Sequence, residues 1–106
     1  MKIVAVTACS TGIAHTYMAQ EALEQECKKR GYEVQVETQG GMGMENELSE
    51  EVIAEADVVI MAVAIGIEGE ERFEEKEEAG RVLTMDPSVL IKDPVKVLNE
   101  AEALVK

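Results

Sequence analysis

The sequence predicts an α/β fold: a three-layer sandwich in which a four-stranded parallel sheet of order 2-1-3-4 carries helices on both faces. Three observations predict it. Residues 2 to 8 and 57 to 65 are almost continuously apolar, the texture of strands covered on both faces, as in parallel sheets between helical layers. Segments of helical spacing alternate with the strand-like ones, as βαβ construction requires. Right-handed crossovers leave few topologies, and the two dry strands, first and third, take the centre.

Each element follows in order. After the first strand, Ala14 to Arg30 has helical spacing, with Ala14, Met18, Ala22, Leu23 and Cys27 on or near one face and Gln20, Glu21, Glu24 and Lys28 on the other. Lys28, Lys29 and Arg30 complement the helix dipole, and Gly31 ends the helix. Tyr32, Val34 and Val36 alternate with Glu33, Gln35 and Glu37, which predicts a second strand with one wet face at the sheet edge. Residues 38 to 43, with three glycines in the last four positions, read as a loop. Ser49 caps a short helix that runs to about Ala56, with Glu50 and Glu51 at its positive end. The third strand, 57 to 65, leads to a helix with seven Glu among residues 68 to 78, anchored by Phe73 and otherwise a solvated face. Arg81 to Met85 is the fourth strand and Asp86-Pro87 a turn. Asp93-Pro94 starts a last helix from Val95 to Leu104.

The chain has 106 residues, the size of one domain with a single core, and no repeat or linker divides it. A net charge of −12 argues against a nucleic-acid backbone or an anionic membrane as partner, since both require clustered Lys and Arg. No apolar run approaches the roughly 18 to 20 residues of a membrane span, and the N-terminus lacks a signal-peptide layout, so a cytoplasmic protein is expected. In that reducing compartment Cys9 and Cys27 are expected as thiols. Cys27 falls about 20 Å along the helix from Cys9, which makes it a core residue and not a resolving thiol. No metal cluster is visible, and no cofactor is expected.

Cys9 stands where the first strand ends. Strand end, loop with Gly12 and helix start follow one another, which aims several backbone N–H groups at one point where the helix dipole adds positive charge. Such a seat lowers a thiol pKa and holds a tetrahedral oxyanion beside the sulfur, as suits a thiolate that attacks phosphorus. In an open sheet with this strand order, ligands bind in the crevice between the first and third strands, and Cys9 is there. The spacing from Cys9 to His15 and Thr16 parallels the C-x5-R-S/T loop of low-molecular-weight tyrosine phosphatases and some arsenate reductases, with histidine at the arginine position. No Lys or Arg occurs between Lys2 and Lys28. Without a guanidinium for transition-state charge, hydrolysis is expected to be poor and an S-phosphate to survive long enough to be passed on. His15 is read either as a donor to the phosphate or as a structural cap. Burial of Cys9 as a small packed residue is the competing reading.

The segments A-C-S-T-G-I-A-H-T-Y-M-A-Q-E-A-L at 8 to 23, V-E-T-Q-G-G-M-G-M-E-N-E-L at 36 to 48, A-D-V-V-I-M-A at 56 to 62 and E-R-F at 71 to 73 resemble the fructose-type IIB component of the bacterial phosphoenolpyruvate-dependent sugar phosphotransferase system. The resemblance covers essentially the whole chain. It implies a Rossmann-like fold with a phosphatase-like cysteine loop, phosphorylation of Cys9, and a phosphate loop made of Ser10, Thr11, Gly12, Ile13, Ala14, His15 and Thr16. It also implies a phosphohistidine-bearing IIA partner as donor and, as acceptor, a sugar (fructose first among candidates) held by a membrane IIC partner at the inner face of the membrane. Two positions depart from the family pattern: Ser10 stands where proline is common after the cysteine, and Ala64 where an Asp is frequent. A small thiol phosphatase or arsenate reductase using the same loop is the alternative.

Overall fold

The computed structural model describes residues 1–9, 13–40 and 43–105, with Ile13 given by its backbone alone. The sheet contains β1 (Lys2–Ala8), β2 (Glu33–Gly40), β3 (Gly43–Glu45), β4 (Val58–Val63) and β5 (Val82–Met85). The helices are α1 (Ile13–Arg30), α2 (Glu50–Glu55), α3 (Glu74–Glu78), α4 (Pro87–Lys92) and α5 (Pro94–Val105), and a 3₁₀ turn, Glu70–Phe73, leads into α3. The strand order is β3-β2-β1-β4-β5. The four predicted strands are parallel and stand in the expected order, with the two dry strands β1 and β4 paired at the centre.

The alternation of β1 explains the layers. Ile3 and Ala5 face a core built with Ala19, Leu23 and Cys27 of α1, Leu90 of α4 and Val97, Leu98 and Ala101 of α5. Val4 and Val6 point the other way, onto Leu48, Ile53 of α2 and Phe73. Both sets are almost fully buried, and each Leu, Ile or Val so placed contributes roughly 1.5–3 kcal/mol. Caps fix the helix ends: Ser49 accepts from the Val52 amide at 3.2 Å, and Asp93 from the Lys96 amide at 3.0 Å. Gly31 ends α1 at φ 75°, a conformation that favours glycine.

Four expectations are corrected. The sheet has five strands and is mixed, because in the stretch predicted as a loop Thr38 to Gly40 end β2 and Gly43 opens the antiparallel strand β3. β2 continues through Gly40 because β1 continues beside it, with Thr7 opposite Thr38 and Ala8 opposite Gln39. Glu37, assigned to a wet face, is completely buried; two segments, one carrying Leu48 and the other Arg72, fold over that face. The acidic helix is shorter than expected and opens with the 3₁₀ turn. Asp86-Pro87, read as a turn, is the N-cap and first residue of α4, with Asp86 accepting from the Ser88 amide at 2.9 Å.

Candidate active site

The connection after β1 runs through α1 on one face of the sheet, while the connection after β4 runs through the 3₁₀ turn and α3 on the other. This divergence opens a crevice above the adjacent C-terminal ends of the two strands. Cys9 lies one residue beyond β1 at that place and is partly exposed. The strands are still tied there, since the Ala64 amide donates to the Ala8 carbonyl at 2.9 Å.

Cys9 forms one wall of a cleft of about 330 Å³. Gly40, Gly43 and Gly66 line it without side chains, leaving room for a bulky reactant, and Met44 and Ile65 add apolar surface. Gln39 and Glu68 are its polar edge, and no Lys or Arg is among the described residues lining it.

The remaining predicted phosphate-loop residues divide into three groups. Ser10, Thr11 and Gly12 lie outside the described residues, and of Ile13 only the backbone is described. Ala14 and His15 are exposed on the first turn of α1. His15 is within electrostatic reach of Asp86, so it stands toward β5 and α4. The carboxyl of Asp86 is held below its ordinary value first by the Ser88 backbone amide, then by the Ser88 side chain, with a smaller contribution from His15. Thr16 is buried, and its hydroxyl would be 3.8 Å from a side-chain carbon placed on Gly40. Thr7, Thr16 and Thr38 all bury hydroxyls that have no hydrogen-bond partner among the described residues. Thr7 and Thr38 are register partners on the α1 side of the sheet, so these hydroxyls gather beneath the start of α1. Buried polar groups of this kind commonly hold an internal water.

Cys27 is the core thiol expected from its place in α1: it is fully buried, and its pKa is pushed up to about 12, chiefly by that burial. Neither cysteine forms a disulfide. In the native chain at pH 8, iodoacetamide is expected to modify Cys9 at least about 100-fold faster than Cys27, because the thiolate is the reacting species. Peptide mapping of a time course checks this, and equal rates would contradict it.

The residues that sequence reasoning passed over lie beside the cleft. Arg72 forms a two-pronged ion pair with the buried carboxylate of Glu37, Nη1 to Oε1 at 2.8 Å and Nη2 to Oε2 at 2.9 Å. Its Nε donates to the Gly69 carbonyl at 2.7 Å. The second hydrogens of Nη1 and Nη2 reach the carbonyls of Leu48, at 2.7 Å, and Glu68, at 3.1 Å. All five N–H donors of the guanidinium are thereby used. Gly69 must be glycine: its φ is 71°, and a side-chain carbon would be 2.5 Å from Arg72 Nε. Gln39 extends the network, its Nε2 donating to Glu37 Oε2 at 2.7 Å and to the Glu68 carbonyl at 3.1 Å. Its Oε1 accepts from the Glu68 amide at 2.8 Å. The sequence signal was present: Arg72 is the one arginine within the acidic run, and Glu37 and Gln39 belong to the motif E-T-Q-G.

Comparison with known proteins agrees with this geometry. The family model described as "PTS system, Lactose/Cellobiose specific IIB subunit" matches residues 4–100. The chain is 51% identical to the "PTS system fructose-like EIIB component 2" of Escherichia coli K12 over 106 residues, covering 96% of this chain and 92% of that protein. It is 54% identical over 72 residues to the "Fructose-like PTS system EIIBC component" of the same organism, covering 68% of this chain and 15% of that longer protein. A crystal structure of a predicted fructose-specific IIB from Escherichia coli superposes with a TM-score of 0.90 at 38% identity, covering 99% of this chain and 89% of the other. The family model fixes the broad class, and the relatives fix the branch within it. The chain belongs to the fructose-type EIIB family of the bacterial phosphotransferase system, the phosphoryl carriers of sugar uptake.

Proposed function

We propose that Cys9 is the residue that carries the phosphoryl group, received from a phosphohistidine on a IIA protein and delivered to a sugar, fructose or a close analogue, held by a membrane IIC protein at the cytoplasmic face. The observation that carries this reading is the placement of a partly exposed cysteine in a cleft at the switch point of the sheet, one residue beyond β1. In the first step the thiolate attacks phosphorus in line with the P–N bond. That bond breaks, its electron pair stays with the imidazole, and the ring takes up a proton. In the second step a sugar hydroxyl attacks the same phosphorus while the P–S bond breaks, the hydroxyl proton passes to a base or to solvent, and the thiolate is regenerated. Covalent catalysis thus divides one transfer into two, and the protein contributes positioning and amide dipoles in preference to acid–base groups. Ser10 to Thr16 form the phosphate seat in this reading.

No observation favours a phosphatase or arsenate reductase. Arg72 has no N–H left for a phosphate, and no cation is among the described residues lining the cleft. The relative in which EIIB is named together with IIC supports a membrane IIC partner for this chain. Among the described residues no helix is long and apolar enough to cross a membrane, which fits delivery through that partner.

The test is transfer in two stages. A fructose-type IIA protein carrying ³²P on its histidine is expected to label this chain, and added vesicles bearing IIC and sugar are expected to discharge the label as sugar phosphate. Label that never leaves the donor would overturn the reading. Both partners must approach the same sulfur, so Met44→Glu in the cleft is expected to slow transfer at least tenfold, while Glu77→Lys on exposed α3 changes it less than threefold. Equal effects in the same assay would contradict this layout.

A further inference from the structure

The cleft wall facing Cys9 is built from the segment between β4 and the 3₁₀ turn, residues 64 to 69. Among the described residues few polar ties secure it. Ala64 bonds back to Ala8 at one end, and Arg72 holds the carbonyls of Glu68 and Gly69 at the other. In the middle, none of the described residues is near enough to Gly66 to touch even an added side-chain carbon. Gln39 supplies a lateral tie, and it does so twice, accepting from the Glu68 amide and donating to the Glu68 carbonyl. This two-point clasp joins the wall to β2 at the residue opposite Ala8, beside Cys9. The orientation of the Gln39 amide is fixed in turn by Glu37 Oε2, whose own position is set by Arg72.

We propose, resting on the phosphoryl-carrier reading above, that Gln39 is a positioning residue for the transfer: its amide holds Glu68 in place and thereby sets the distance between the outer cleft wall and the Cys9 sulfur, with Glu37 and Arg72 locking that amide. The wall is a surface that an incoming phosphohistidine or sugar must press against to bring phosphorus in line with sulfur. Phosphoryl transfer depends on alignment, and an error of about 1 Å in placement costs on the order of 100-fold. The buried ion pair in E-R-F and E-T-Q-G accordingly serves the reaction at a distance while touching neither reactant.

Gln39→Met keeps the length of the side chain and leaves the Glu37–Arg72 pair in place. It is expected to lower the saturating rate of transfer from phosphorylated IIA at least tenfold, with KM for that donor changed less than threefold. Amide hydrogen exchange at Glu68 is expected to accelerate at least tenfold, and alkylation of Cys9 by iodoacetamide, which needs no aligned wall, to stay within twofold. Gln39→Ser provides a second variant with the same expectation, and far-ultraviolet circular dichroism establishes that each is folded. An unchanged saturating rate, or an unchanged exchange rate at Glu68, overturns the proposal. A wild-type chain that takes no phosphate onto Cys9 sinks the carrier reading instead, while the exchange rate at Glu68 still decides whether Gln39 holds the wall.

Discussion

Cys9→Ala is expected to leave a folded chain that transfers no phosphoryl group. Cys9 is small and partly exposed, so the loss of one sulfur costs within about 1 kcal/mol of stability, as for other substitutions outside the packed core. The rate of sugar phosphate formation, by contrast, is expected to fall by at least about three orders of magnitude, because removing the nucleophile removes both steps of the relay. The contrast separates a chemical role from a packing role. A cysteine that served only to fill space would give the opposite result, with reduced stability and normal turnover, and a thermal melt run beside the transfer assay distinguishes the two.

Arg72→Met is expected to produce the largest loss of stability of any single substitution in the network, about 3–5 kcal/mol, against a total of about 5–15 kcal/mol for a domain of this kind. The cause is the state in which it leaves Glu37. That carboxylate is completely buried and accepts from Arg72, the Leu48 amide at 2.8 Å and Gln39 at 2.7 Å. Removing the guanidinium leaves a buried charge without its counter-ion and deprives three carbonyls of a donor. Replacing both partners, as in Glu37→Met with Arg72→Met, is expected to cost less than Arg72→Met alone, since no charge remains to be desolvated. Urea melts of the three variants measure this, and simple additivity would contradict the account.

The pair also fixes a pH dependence. Burial by itself raises the pKa of the Glu37 carboxyl, but the bonds from Arg72, the Leu48 amide and Gln39 outweigh it, so the pKa lies below the ordinary carboxylate value. A carboxyl lowered in the folded state contributes stability that is present in full above the unfolded value of about 4.3 and is lost as pH falls toward the folded value. The native chain is therefore expected to weaken as pH drops below about 4.3. In Arg72→Met the effect of burial, the largest single influence on this group, is opposed only by the Leu48 amide and Gln39, so the carboxyl is expected to rise and the contribution of this group to reverse sign: stability then increases as pH falls from 7 toward about 4.3. Urea midpoints taken at intervals across that range test the reversal.

What was legible in the sequence was what depends on local pattern. The continuous apolar texture of β1 and β4 identified the centre of the sheet, and the strand-loop-helix order around Cys9 placed the site at its switch point. What was not legible depends on contacts between distant residues. Glu37 reads as a wet position because β2 alternates regularly, and only the return of residues 48 and 72 over that face makes it an interior carboxylate. β3 has three residues and no apolar period; only its antiparallel pairing with the end of β2 makes it a strand. The two Asp-Pro pairs have the same physical meaning, N-cap followed by the first helical residue, yet the helix that the first pair opens has only six residues. A helix that short carries too little periodicity to separate it from a turn. Of the residues assigned to the proposed phosphate seat, the sequence supplied the position of Cys9 at the strand end, while the burial of Thr16 emerged from packing.

The central claim concerns a bond between sulfur and phosphorus. Phosphorus NMR of the full chain after treatment with phosphorylated IIA, with mass-spectrometric mapping of the same sample, tests it most directly. The account predicts a thiophosphate-ester resonance that disappears on addition of IIC vesicles and sugar, with the added mass on Cys9. A phosphoramidate resonance with the mass on His15 would contradict it.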